Sequence, residues 1–230
     1  MWRGKRPAWA GPVAGCDLPR PPRPPGAHRT AWYGAQLAAL GIPLLPAADP
    51  AWLAAPVTPF GLPARYALMV PGGSAHRPEK RWPVAEYRHV CSVLLQRGIT
   101  PVLLGSGPDR DACTAIAHGA PGVIDLTGRT TLAAIASLAR AAVGAVGNDT
   151  GPLHVIASTG CAVVALYSNA SDPGFIAPLG PVATPDPAVA STSAPLFSAS
   201  SPRIRCVQRA ALDSLSAADV LQAIDETWPT

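Results

Sequence analysis

The feature that most constrains this chain is an alternation of short apolar runs with helix-period segments, from residue 65 to residue 168. Stretches 65–70, 100–105, 122–128, 143–148 and 161–168 read as strands. Stretches 84–98, 109–119, 131–142 and 152–160 read as helices. In 84–98 the apolar residues Val84, Tyr87, Val90, Cys91 and Leu94 recur at helical spacing, and Gly98 stops the pattern. Strict β–α alternation predicts an α/β fold: a Rossmann-like parallel sheet with helices on both faces. Ligands of such sheets bind outside the carboxyl ends of the strands, near a switch in strand order. The loops to inspect are therefore 71–83, 105–109, 127–131 and 148–152.

The flanks have a different texture. Residues 1–30 are rich in Pro, Arg and Gly, and 30–42 reads as a short helix stopped by Gly41 and Pro43. A Pro-punctuated connector follows over 44–64. Residues 181–202 form a low-complexity loop. A last helix is expected over 216–228, capped by Ser216 with Asp219 as a weaker stand-in for the usual Glu or Gln.

Apolar residues make up 48% of the 230, which suits a sizeable core and excludes general disorder. No apolar run reaches the roughly 18 residues needed to span a bilayer. The amino-terminal "MWRGKRPAWAGPVAG" lacks the apolar stretch of a signal peptide, so a cytoplasmic location is expected. The five cysteines are odd in number, widely spaced and without a CxxC, which argues against a disulfide framework or a zinc site. Residues 1–30 carry Arg3, Lys5, Arg6, Arg20, Arg23 and Arg29 against Asp17, a net of +5, so the remaining 200 sum to −1. Such an arm can face an anionic partner such as nucleic acid or acidic lipid. A solvated surface segment is the favoured reading, because the arm lacks the regular aromatic interleaving of a single-strand binder. No nucleic-acid partner is expected.

The most informative stretch is "GNDTGPLHVIASTG", 147–160. A strand ends at Asn148, and Asp149 or Thr150 can cap the helix that follows. Pro152 suits the first turn, and Gly151 lets a ligand approach the backbone. Amides and dipole at such an end favour an anion such as phosphate, and His154 can point back at it. The plainer alternative is a well-capped helix with a packed His; the combination favours the anion. In "PGGSAHRPEKRWP", Gly72 and Gly73 follow a strand, Ser74 offers a hydroxyl, and Lys80, Arg77 and Arg81 offer charge. Alone this is most simply a surface loop, with neither a Walker A nor a GxGxxG pattern. Opposite 148–154 it becomes the second jaw on a diphosphate. Asp109-x-Asp111 has the spacing of a metal-binding pair, but it opens a helix and lacks a third ligand nearby, so no metal is expected. Nucleophile signatures such as GxSxG and HExxH are absent.

Taken in order, "PGGSAHRPEKRWPVAEY", "GITPVLLGSGPDRD" and "LTGRTTLAAIASLARAAVGAVGNDTGPLHVIASTGCAVVALYSNASDP" resemble the carboxyl-terminal half of ADP-heptose:lipopolysaccharide heptosyltransferases, glycosyltransferase family 9. The match covers 65–175, and NDTGPLH is its most specific piece. A weaker likeness in "WRGKRPAWAGPVAG" and "TAWYGAQLAALGI" resembles the end of the family's amino-terminal domain. The resemblance implies a GT-B fold whose carboxyl-terminal domain binds a nucleotide-sugar donor, with inverting, metal-independent transfer to a lipopolysaccharide core. It implies no cofactor beyond the ADP-sugar or related substrate. It assigns donor and diphosphate contacts to Gly73, Ser74, Lys80, Thr130, Asp149, Thr150, Gly151 and His154. It divides the chain into 1–64, a remnant of the acceptor domain plus linker, and 65–230, the donor domain.

The family's catalytic base is an Asp in an early Gly-rich loop, and no Asp here matches it; Asp17 lies in a Pro-rich stretch. The catalytic residue is therefore not identified. Two expectations stand side by side: a transferase completed by a missing or separate amino-terminal domain, or a nucleotide-sugar binding module without activity. A nicotinamide-dependent enzyme is disfavoured by the missing fingerprint. The basic arm and the acceptor together imply peripheral contact with the inner membrane.

Overall fold

A computed structural model describes residues 9–11, 13–19, 22–42, 50–74, 76–181 and 203–229. Arg3, Lys5, Arg6 and Arg20 of the basic arm, and the low-complexity stretch apart from Pro181, lie outside the described residues. Two short strands, β1 (Ala10–Gly11) and β2 (Leu18–Pro19), pair with each other in parallel. Helix α1 (Arg29–Ala39) follows, close to where the sequence placed it.

The alternation then unfolds as β3 (Tyr66–Val70), α2 (Val84–Gln96), β4 (Thr100–Leu103), α3 (Arg110–Gly119) and β5 (Ile124–Asp125). It continues with α4 (Leu132–Ala141), β6 (Gly144–Asn148), α5 (Gly151–Ser158) and β7 (Val163–Ser168). The strand expected over 122–128 is reduced to two residues at one sheet edge. After a short helix α6 (Pro173–Ile176) come β8 (Ile204–Arg209) and α7 (Ala217–Thr227). Ser216 and Asp219 form the capping box of α7, with both reciprocal hydrogen bonds made.

The six strands are all parallel, in the order β5-β4-β3-β6-β7-β8. The sheet is buried on both faces because both sets of alternating residues are apolar. Tyr66, Leu68 and Val70 of β3 point to the face covered by α4 and α5, while Ala67 and Met69 point to the face covered by α2, α3 and α7. α7 packs so closely that a Cβ on Gly144 would lie 2.3 Å from the Trp228 ring, which explains a glycine inside a central strand.

β8 is a strand that the sequence did not announce. It lies at the sheet edge beside β7, where Arg205, Gln208 and Arg209 remain accessible, so its pattern reads as polar tail. Residues 50–62 run along the α4 side. Arg140 donates to the Leu53 and Pro50 carbonyls, Ser137 Oγ accepts from the Ala55 amide, and Val57, Phe60 and Leu62 join the apolar cluster.

All five cysteines are free, and burial pushes the thiols of Cys91 and Cys161 up to about 12. Among the described residues, no helix is long and apolar enough to cross a membrane.

Candidate functional site

Strand order reverses between β3 and β6, so the loops leaving their carboxyl ends flank the switch point. Those loops are two of the segments singled out in the sequence, 71–83 and 148–152, the second reduced to 149–150 between β6 and α5. Asn148, fully buried at the end of β6, joins them. Its Nδ2 donates to the carbonyls of Pro71 (2.8 Å) and Gly72 (3.1 Å). Its Oδ1 accepts from the Trp82 amide (3.2 Å) and lies 3.1 Å from the Tyr87 hydroxyl. A polar residue ends this apolar strand because its amide satisfies three groups of the facing loop and the Tyr87 hydroxyl of α2.

Asp109 performs the matching task from the next loop. It is buried, accepts from the amide and hydroxyl of Ser106 (3.0 and 2.7 Å), and receives the Gly73 amide and Arg81 Nη2 (both 3.3 Å). Arg81 also donates to the Gly73 carbonyl at 2.6 Å. Gly72 has to be glycine here, since a Cβ would come within 2.7 Å of the Asp109 carboxyl carbon. Asp109 therefore pins the Gly-Gly turn, while Asp111 is exposed on α3. No group of three His, Cys, Asp or Glu side chains is arranged as a metal site among the described residues.

Asp149 begins the second cluster. Its carboxylate accepts from Lys80 Nζ (2.9 Å) and Ser171 Oγ (3.2 Å), and His154 Nε2 stands 3.6 Å away. The side chain is only 9% exposed. Burial pushes its pKa up, but hydrogen bonds from His154 and Lys80, the Lys80 charge and the Ser171 hydroxyl outweigh burial and hold it at about 2. The carboxylate is charged at neutral pH and fixes the Lys80 ammonium and the His154 ring.

Two sequence expectations need correction. Neither Asp149 nor Thr150 caps α5: Thr150 sits at the cap position without a side-chain hydrogen bond, and its Oγ1 is buried and unpaired. Asp149 is drawn to Lys80 instead, because an ammonium competes better for a carboxylate than an amide does. Nor do Arg77 and Arg81 present free charge. Arg77 pairs with Glu79 and reaches the Ala170 carbonyl, and Arg81 is held by Asp109 and Gly73. The Gly73 amide likewise faces Asp109.

A cleft of ≈ 510 Å³ opens above these groups. Val70, Leu104, Leu132 and Ile135 give it an apolar wall. Gly73, Ser74, Thr130, Asp149, Thr150 and Gly151 supply its polar margin. A second cavity, ≈ 460 Å³, shares Asp149–Gly151 with the first and adds Lys80 and His154. The eight residues singled out in the sequence thus line two adjoining cavities. A Cβ at Gly151 would meet nothing within 4 Å, so the approach to the backbone is open. Asp109, Asn148 and Ser171 were missed as organisers; the one local signal was a polar residue at the end of an apolar strand or the start of a helix.

The family model of glycosyltransferase family 9 (heptosyltransferase) matches residues 47–195. The chain belongs to this family. This family-9 chain is 30% identical over 117 residues to lipooligosaccharide heptosyltransferase 2 of Haemophilus influenzae, covering 49% of the chain and 34% of that protein. It is 34% identical over 112 residues to lipopolysaccharide heptosyltransferase 2 of Escherichia coli, covering 46% and 32%. The family-9 chain therefore spans about a third of the length of the curated relatives it matches. Among solved structures it resembles a family-9 glycosyltransferase of Veillonella parvula, with TM-score 0.67, 18% identity, and 92% and 63% of the two chains covered. It also resembles E. coli ADP-heptose lps heptosyltransferase II, with TM-score 0.59, 24% identity, and 80% and 52% covered. Both support the same fold.

Proposed function

We propose that this chain binds the nucleoside diphosphate of a sugar donor, and that it serves glycosyl transfer from ADP-heptose to a lipopolysaccharide core acceptor. The observation that carries this reading is the Lys80–Asp149–His154 cluster at the switch point, beside a cleft with one apolar and one polar wall. The apolar wall suits a nucleoside. Ser74, Lys80, Gly151 and His154 suit the diphosphate, with Thr130 near the nucleoside. Support also comes from solved neighbours of the same fold, one of them an E. coli heptosyltransferase with ADP. Lys80 and the start of α5 supply positive character without a metal, which fits metal-independent, inverting transfer. In this reading residues 65–230 are the donor domain, and 1–64 belong to the acceptor side and its linker. The work is done in the cytoplasm, at the inner membrane where the acceptor lies.

One observation favours a second reading, a donor-binding module without activity of its own. The carboxylates lining the two cavities among the described residues are Asp109 and Asp149, and both are locked in ion pairs. Neither is free to take a proton from an acceptor hydroxyl, so transfer requires a base from elsewhere. Calorimetry with ADP, UDP and GDP tests donor binding: ADP should bind best, and no binding of any at millimolar concentration rules out both readings. Adding acceptor and ADP-heptose then separates them, because ADP release requires transfer or hydrolysis.

A further inference from the structure

The second cavity has a wall outside the sheet domain. Lys80, Asp149 and His154 stand on one side, and His28, Arg29 and Thr30 at the start of α1 stand on the other. This amino-terminal segment is anchored on α6 and on Ala177 just after it. Arg23 pairs with Asp172 at 3.5 Å and stacks 4.0 Å from the Phe175 ring centre. Trp32 packs on the same ring, and His28 Nε2 lies 3.0 Å from the Ala177 carbonyl while Nδ1 accepts from the Thr30 amide. Burial, together with the nearby charges of His154 and Arg29, lowers the His28 pKa despite its bond to Ala177, so the ring stays a neutral cap. Arg29 leans on Phe175 at 5.0 Å and has no carboxylate partner among the described residues. The cavity therefore holds two cations, two imidazoles and one carboxylate, a set with room for an anion.

We propose that Arg29 is a second cation on the donor's diphosphate, gripping the phosphate next to the sugar, so that the amino-terminal segment forms a wall of the donor site. The inference rests on the donor reading above. With a nucleoside in the first cavity and the first phosphate at Gly151, the second phosphate falls in the cavity that Arg29 lines. A guanidinium there can make two parallel hydrogen bonds to it, which an ammonium cannot.

The test is calorimetry of ADP and AMP binding to the full chain, Arg29→Gln and Arg29→Lys. Arg29 is exposed, so unchanged melting temperatures are expected of both variants. Arg29→Gln should weaken ADP about tenfold and leave AMP unchanged, and Arg29→Lys should recover part of the loss. An ADP-to-AMP preference equal in wild type and Arg29→Gln overturns the role of Arg29 while leaving the donor reading intact. Failure of the wild type to bind ADP at all overturns both.

Discussion

Lys80 and Arg81 leave one loop side by side and pair with carboxylates from two different strand ends. The Arg81–Asp109 pair edges the first cavity but holds mainly backbone: its other partners are the Gly73 carbonyl, the Gly73 amide and the Ser106 amide and hydroxyl. The Lys80–Asp149 pair faces a cavity, and its other partners are the side chains of His154 and Ser171. The two salt bridges look alike in a list of charges but differ in what they hold. The first fixes backbone and builds the frame. The second fixes side-chain donors and leaves them within reach of a ligand. Substituting the frame pair should cost stability, and substituting the cavity pair should cost binding.

The largest effect expected is on the frame. Asp109→Ala leaves Arg81 and two amides without their acceptor and should lower unfolding free energy by about 3 kcal/mol in urea titrations. A loss under about 1 kcal/mol would mean that Asp109 is no more a frame residue than Asp149. Next comes Lys80→Ala, expected to weaken ADP binding by about 2 kcal/mol in calorimetry. Unchanged ADP affinity in the Lys80 variant would erase the distinction.

The third effect separates the carboxylates by pH. Asp149 has a folded pKa of about 2, below the ordinary value of roughly 3.9. Because the folded value is depressed, its contribution is complete above pH 4 and is lost as pH falls toward 2, by up to about 2 kcal/mol. Asp149→Asn should remove that part of the acid dependence of unfolding; an unchanged profile argues against the cluster. The smallest effect is His154→Ala, at about 1 kcal/mol of ADP affinity.

Much of the fold was legible in the sequence, because a doubly covered parallel sheet needs apolar residues on both faces of each central strand. β3, β6 and β7 carry such residues and stood out. β8 did not, because an edge strand tolerates Arg205, Gln208 and Arg209. At the site, the sequence located the two loops but not the partnerships within them. Nothing local says that Asp149 turns away from the helix it precedes, or that Arg81 holds the Gly73 carbonyl while Lys80 does not. Those choices follow from the close approach of β3 and β6, and from Asn148 and Asp109 reaching across to the Gly-Gly turn.

A crystal structure of the chain with ADP tests the central claim most directly. The account predicts the adenosine in the cleft between Leu104 and Ile135, and the phosphates at Gly151 within hydrogen-bond reach of Lys80 and His154. The Arg81–Asp109 pair should remain closed. Phosphates bound at Arg81 with Asp109 displaced, or ADP bound away from the β3–β6 switch point, would contradict it.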